Sequence, residues 1–452
     1  MMKRVALVNP GRGKRYAMFE PLNIGFIASY LEKNNVEVTI IDELAGQNVR
    51  KELMRYRPDI VGITATTPLI PYAYEVAGIC RNMGILTVMG GVHASVLPEE
   101  ALQHVNIVVV GEGEVAMLDI VKHGIRSGVI TYPYTRDIDE IPPPARHLMD
   151  MDFYSGTRDR LLLKLLGFVP PHTKVASMLT SRGCPFSCIF CHNSWKGMPF
   201  RFNSAERVIS EMKDLKETYG IKAIFFIEDN FFANKPRVGR ICDLLTKEKL
   251  NLTWGANARV DGIDEDILGV AKGAGCRQIT FGFESGSQRI LDILNKKTTV
   301  EQNYKAVELC CKVGIEPQGT VMFGNPTETV EDIKATQRFL EKTKLSGIGI
   351  MITTPYPGTV LWDWCKDHNL IPSKINWEDL DCDNLIIPAC DTIPQKEIKR
   401  LQTESKAVMV GKEPLRVLAL ARRGMIPAKD VVSMLKHPLR IVKTLWRILR
   451  YR

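Results

Sequence analysis

Ser181-Arg182-Gly183-Cys184-Pro185-Phe186-Ser187-Cys188-Ile189-Phe190-Cys191-His192-Asn193 is the stretch on which the reading of this chain turns. Three thiolates on one short loop can hold three corners of a cubane iron–sulfur cluster, which leaves the fourth iron without a protein ligand. An open iron can bind and activate a substrate, whereas an electron carrier closes its cluster with a fourth cysteine. Cys184, Cys188 and Cys191 are therefore the candidate catalytic and metal-binding residues. The competing use of these residues is a zinc knuckle completed by His192. Ligands adjacent in sequence project in divergent directions, however, and structural zinc sites usually draw two ligand pairs across a longer spacer. A disulfide framework suits the chain less well, since eleven cysteines is an odd number and nothing marks the chain as secreted.

The cysteine loop follows a strand-like run, Val175–Leu179, that opens a series of six. Ala223–Ile227, Thr253–Ala256, Gln278–Gly282, Glu316–Met322 and Gly347–Ile352 complete it, separated by helix-period segments such as Ala205–Glu217 and Val330–Glu341. Six successive βα units predict a partial (β/α)6 barrel of the TIM type, with its chemistry at the carboxyl ends of the strands. Upstream, Arg4–Asn9, Val36–Asp42, Asp59–Thr64, Ile85–Gly90 and Asn106–Gly111 read as strands alternating with helices such as Ile24–Lys33 and Tyr72–Arg81. That pattern predicts a doubly wound, Rossmann-like parallel sheet whose ligand lies outside the carboxyl ends of its strands. Asn9, Thr64 to Thr67, Gly90 to His93 and Gly111 to Glu114 stand there. The domain expectation is a Rossmann-like domain over 1–135, a proline-rich linker over 136–172 holding Pro142-Pro143-Pro144, the barrel over 173–371, and a helical basic region over 372–452.

Composition narrows the class. The chain has 452 residues, 45% of them hydrophobic and 25% charged, enough to build real cores. No window reaches the roughly 18 to 20 uninterrupted apolar residues of a membrane span. The amino terminus runs directly into a strand without the pattern of a signal peptide. A reducing cytoplasm is the expected location, which suits free thiols and an oxygen-sensitive cluster. Eleven Lys and Arg against two acids between Lys412 and Arg452 account for the whole formal charge of +9. Of the other cysteines, Cys310, Cys311, Cys365, Cys382 and Cys390 are too scattered for a second cluster and are expected to be buried thiols, with Cys276 structural.

With both halves placed, residues 1 to about 370 resemble the cobalamin (B12)-binding radical S-adenosylmethionine (SAM) enzymes. The resemblance rests on CxxxCxxC with Phe190 before the last cysteine, and on a series of strand-end motifs. These are Phe226-Ile-Glu-Asp-Asn-Phe231, Trp254-Gly-Ala-Asn-Ala-Arg259, Phe281-Gly-Phe-Glu284-Ser285-Gly-Ser287, Met322-Phe-Gly-Asn-Pro-Thr-Glu-Thr329 and Thr354-Pro-Tyr-Pro-Gly-Thr359. The resemblance implies a [4Fe–4S] cluster whose open iron is chelated by SAM. It places Phe190 by SAM, Glu284 and Ser285 near its ribose and methionine moiety, and Arg259 near its carboxylate, where a fork-shaped guanidinium suits the partner. The bland alternatives are a barrel-mouth salt bridge for Glu284 and Arg259 and loop packing for Phe190.

For the amino-terminal half the resemblance implies a cobalamin site from Asn9, Thr64, Thr66, Gly90, Gly91, His93 and Glu112. Gly90 and Gly91 would let the corrinoid's nucleotide tail approach the backbone, since glycine lacks Cβ. The loop after the first strand has no histidine, so cobalt would have a histidine-free lower face, with His93 serving as a hydrogen-bonding residue. The alternative is a domain that keeps the fold without the cofactor.

The activity so implied is reductive cleavage of SAM to a 5′-deoxyadenosyl radical, hydrogen abstraction, and methylation of an unactivated carbon. Alternatives are radical cyclisation or oxidation of the same substrate class, methylthio transfer, and a non-enzymatic cobalamin- or metal-binding scaffold. Methylthio transfer is disfavoured because residues 1–130 hold only Cys80. An external electron donor of flavodoxin or ferredoxin type is expected, and a small-molecule or lipid-like substrate. Leu439, Val442, Leu445, Trp446 and Leu449 oppose Arg440, Lys443, Arg447 and Arg450 at helical spacing. This amphipathic pattern over 438–452 suits peripheral contact with the inner face of an anionic membrane. Nucleic-acid binding and an ordinary packed helix are the rivals, and no nucleic-acid partner is expected.

Overall fold

The computed structural model describes residues 3–12, 19–155, 169, 173–192, 197–380, 382 and 387–412. The basic segment 438–452 lies outside the described residues. The chain divides into two compact units, the first comprising 1–157, 173–228 and 355–386, and the second 158–172, 229–354 and 387–452.

The first unit holds a six-stranded parallel sheet of β1 (Arg4–Asn9), β2 (Glu37–Asp42), β3 (Ile60–Thr64), β4 (Leu86–Gly90), β5 (Ile107–Val110) and β6 (Gly128–Thr131), in the order β2-β1-β3-β4-β5-β6. Near-continuous apolar strands are what a sheet covered on both faces requires. Val5 and Leu7 enter one core with Ile40, Ile60 and Val88, while Ala6 and Val8 enter another with Ile41, Val61 and Met89. Side chains of a strand alternate between faces, so one strand feeds both cores. The strand order reverses between β1 and β3, which opens a crevice at their carboxyl ends. β6 was not expected. Its four residues alternate between half-buried and exposed at the sheet edge, too short and too polar to stand out as a strand.

The same unit carries β7 (Val175–Met178) parallel to β10 (Ala223–Phe226), joined through the helix Ala205–Tyr219. Ser204 caps that helix by accepting from the Arg207 N–H, and Gly220, at φ 69°, ends it. Between them, β8 (Ser181–Arg182) and β9 (Arg201–Phe202) form a short antiparallel ladder.

In the second unit β11 (Thr253–Ala258), β12 (Cys276–Glu284), β13 (Glu316–Phe323) and β14 (Gly347–Ile352) pair in parallel and in sequence. Gly319 is forced by packing, because a Cβ there would lie 2.4 Å from the Phe283 ring. Each of β7 and β10 to β14 is followed by a helix, so the chain runs through six βα units, as read from the sequence. The fold is α/β, a doubly wound domain followed by a half-barrel. Cys276 is the first residue of its strand and is buried, as are Cys310, Cys365 and Cys390. Cys311 and Cys382 correct the expectation, since Cys311 is exposed on the helix Val300–Val313 and Cys382 is only half-buried. No helix among the described residues is long and apolar enough to cross a membrane.

Candidate active site

The three cysteines occupy the loop that the β8–β9 ladder closes at its base. Cys184 and Cys191 are half-buried, Cys188 is buried, and none is in a disulfide. The Cys191 N–H donates to the Cys188 carbonyl at 3.0 Å, a tight turn that keeps both thiols on one bend. The Ile189 carbonyl accepts from Leu361 N–H at 2.9 Å, which ties the bend to the helix Val360–Asp367. Gly183 enters the loop at φ 79°, where a Cβ would stand 2.6 Å from the Pro199 carbonyl. Among the described residues no three His, Cys, Asp or Glu side chains gather as for a single metal ion. Three cysteines on one loop, none in a disulfide and with no fourth cysteine in that loop's sequence, fit a cubane left open at one iron. Phe190 lies half-buried within this bend.

Glu112, expected at the cobalamin site, has both carboxylate oxygens engaged by neighbouring residues. Oε1 accepts from Arg182 at 2.9 Å, and Oε2 accepts from Arg201 at 3.0 Å and from the Thr135 N–H at 3.0 Å. Glu114 takes the other arm of Arg182 at 2.6 Å. Burial works against ionisation of Glu112, yet the hydrogen bond from Arg201 and the charge of Arg182 hold its carboxyl below the ordinary range.

At the other strand ends, Asn9 donates to the Asp42 carboxylate at 3.0 Å, and the Tyr154 hydroxyl donates to the same group. Burial pushes the Asp42 carboxyl up. Thr64 Oγ1 accepts from Asn23 at 3.0 Å, and Thr66 is exposed just beyond it. Gly91 adopts φ 93°, and a Cβ there would lie 2.8 Å from Thr64 Oγ1 and 2.9 Å from the Ala65 carbonyl. The close approach that demands this glycine is thus made by the chain's own loop after β3; Gly90 has ordinary clearance. His93 is buried, with Nε2 3.2 Å from Glu100 Oε2 and its ring edge-on to Trp377. Glu100 also accepts from Tyr74 and from the Trp377 indole, each at 3.1 Å. The small or polar ends of β1, β3 and β4, with Gly111 at φ 98° after β5, fit a bulky ligand laid across them.

In the second unit Arg259 and Glu284 meet at a residue that sequence reading missed. Lys296 Nζ lies 2.6 Å from Glu284 Oε1, and the Lys296 carbonyl accepts from Arg259 at 2.6 Å. The Arg259 guanidinium is forked onto both oxygens of Asp261 at 3.0 Å each. Both residues therefore take part in the salt bridges that were the bland alternative. Glu284 ends β12 at φ 59°, and its carboxylate folds back under the strand, where a Cβ on Gly282 would lie 2.3 Å from Oε1. Ser285 is fully buried, its hydroxyl shared between Thr336 Oγ1 and the Ser287 N–H at 3.1 Å each, so it braces the strand end against the helix Val330–Lys342. A lysine in Asn295-Lys296-Lys297 looks like a solvated helix end, and nothing in its spacing signals burial.

Residues 10–121 match the B12 binding domain and residues 178–340 the Radical SAM superfamily. An uncharacterized methyltransferase of Pyrococcus horikoshii is 35% identical over 385 residues, which cover 79% of this chain and 80% of that one. The anaerobic magnesium-protoporphyrin IX monomethyl ester cyclase of Rubrivivax gelatinosus is 27% identical, over 85% of this chain and 73% of its own. The fold is shared with the solved cobalamin-dependent S-adenosylmethionine radical enzyme OxsB, at a TM-score of 0.72 and 16% identity, over 98% of this chain and 72% of that one. The cofactors that go with both matched domains are a [4Fe–4S] cluster, SAM and cobalamin. With a B12 binding domain followed by a radical SAM domain, and at the identity and coverage of the Pyrococcus relative, this chain belongs to the cobalamin-dependent radical SAM enzymes.

Proposed function

We propose that this enzyme methylates an unactivated carbon of a small, lipid- or isoprenoid-like molecule. The observation that carries the radical step is the loop of three cysteines, CxxxCxxC with no fourth cysteine beside them, and the similarity to a methyltransferase supports the outcome. When bound, the cluster supplies the electron that splits SAM, and cobalamin supplies the methyl group.

The chain's own part is to hold and orient. Cys184, Cys188 and Cys191 would grip three irons, and the Ile189–Leu361 and Cys188–Cys191 backbone bonds keep that grip on one bend. Glu284, held by Lys296, would present its second carboxylate oxygen to ribose hydroxyls, and Arg259 would offer charge to the SAM carboxylate beside Asp261. Asn9, Thr64, Thr66 and the turn at Gly90-Gly91 would frame the corrinoid. The lipid-like substrate is supported by the amphipathic pattern of 438–452, which would bring the enzyme to an anionic membrane surface. A flavodoxin- or ferredoxin-type protein would deliver the electron.

The test is anaerobic incubation of cluster-reconstituted enzyme with trideuteromethyl-SAM, dithionite and a lipid extract. Formation of 5′-deoxyadenosine together with a lipid carrying one labelled methyl is the expected result. No 5′-deoxyadenosine with the cluster confirmed rejects the reading. The second reading, radical cyclisation, is favoured by the similarity to a cyclase, and loss of two hydrogens without label would establish it instead.

A further inference from the structure

We propose that Glu112, with Arg182 and Arg201, is a positioning clamp that seats the cysteine loop, so that Glu112 governs how the cluster meets SAM and is not a corrinoid contact. The inference rests on the reading that Cys184, Cys188 and Cys191 hold a cluster; it is independent of the substrate.

Arg182 and Arg201 are register partners across the ladder that closes this loop. Like charges directly opposite on paired strands are destabilising, and two residues per strand provide too few hydrogen bonds to hold a long loop against that repulsion. An arginine cannot relieve the repulsion by losing its proton. Glu112 resolves it by placing one carboxylate oxygen on each guanidinium, at 2.9 and 3.0 Å, while Glu114 takes the second arm of Arg182. Arg201 also donates to the Thr135 carbonyl at 2.6 Å, and the Thr135 N–H returns a bond to Glu112. The side chains are largely out of water, at 14% exposure for Arg182 and Glu112, 7% for Arg201 and 5% for Glu114. Removing one partner from such a set strands a buried charge, the costly way to break an ion pair.

The lever to the cluster is short. Only Gly183 separates Arg182 from Cys184, and Gly183 is wedged against the Pro199 carbonyl, so a shift of Arg182 passes directly to the first thiol. Glu112 itself follows β5, at the carboxyl end of the doubly wound sheet. The cysteine loop is therefore seated on the domain that frames the corrinoid. With three donors already on its two oxygens, Glu112 has little left to offer a ligand.

The experiment compares wild type with Glu112→Gln and Glu112→Asp. After anaerobic reconstitution, iron is assayed, SAM binding is followed by the change it causes in the spectrum of the reduced cluster, and cobalamin binding is titrated by absorbance. For Glu112→Gln we expect iron to be poorly retained or SAM affinity to fall by about ten- to a hundredfold, the range that loss of a residue orienting metal ligands costs in metal affinity or activity, with cobalamin affinity unchanged. Glu112→Asp, which keeps the charge but shortens the reach, should lie between, and it decides the question by the same measures if Glu112→Gln does not fold. Weakened cobalamin binding with SAM binding intact overturns the clamp in favour of a corrinoid contact. No change in either affinity, or a parallel loss of both, also overturns it, the latter because general loosening would do the same. A wild type that shows no SAM-dependent signal would instead fail the cluster reading itself.

Discussion

The Lys296 ammonium lies 2.6 Å from the Glu284 carboxylate with both side chains 7% exposed, so the acid that ends β12 is held by a lysine twelve residues further along the chain. Cutting this pair on one side leaves Glu284 without its counter-charge. Lys296→Met should cost about 3–5 kcal/mol in chemical denaturation, and Lys296→Met combined with Glu284→Gln should recover most of that. A single variant as stable as wild type would show that the pair contributes little.

Cys188→Ala should abolish iron retention and 5′-deoxyadenosine formation while leaving cobalamin binding intact, because Cys188 serves the loop and not the strand ends of the doubly wound sheet. Iron analysis and a cobalamin titration on the same preparation check both halves. Retained 5′-deoxyadenosine would contradict the three-thiol site.

Gly91→Ala introduces a Cβ at φ 93° within 2.9 Å of backbone at Ala65 and closer still to the Thr64 hydroxyl. Strain of this kind costs about 1–3 kcal/mol, and relief requires the loop after β3 to move. A lower melting temperature with weakened cobalamin binding is expected. A lower melting temperature alone would confine Gly91 to packing.

Glu328 is fully buried and accepts from the Gly324 and Asn325 N–H groups and from the Asn325 side chain. Burial nevertheless pushes its carboxyl from the ordinary 4.5 up to about 7. The folded state then keeps a proton that the unfolded chain gives up, so stability is fully present below about pH 4.5 and declines as pH rises toward 7, by roughly 3 kcal/mol in all. Glu328→Gln should flatten this part of the profile, measured as urea stability of both proteins across the window. Parallel profiles for the two would refute the assignment.

Much of the fold was legible because its signals are local. The strands Arg4–Asn9 and Gly347–Ile352 lie where apolar runs and flanking breakers put them, and the CxxxCxxC loop is contiguous. The candidate site was legible only in part. Glu284 and Arg259 stood out as strand-end charges, but Lys296 and Asp261, which hold them, look like surface residues in sequence. Ser285 stands out in the sequence as a strand-end hydroxyl, and only the packed fold brings Thr336 of the helix Val330–Lys342 within 3.1 Å of it. Glu112 stood at a strand end, where ligands usually bind, and only the ladder pairing showed two arginines converging on it.

By itself the sequence determined the two βα alternations and the three-thiol loop, because periodicity and ligand spacing are properties of neighbouring residues. Tertiary structure alone decided which charged groups are left to face a ligand and which are already neutralised. That outcome depends on ion pairs such as Arg182–Glu112, whose partners are seventy positions apart and meet only when the sheet and the loop have packed.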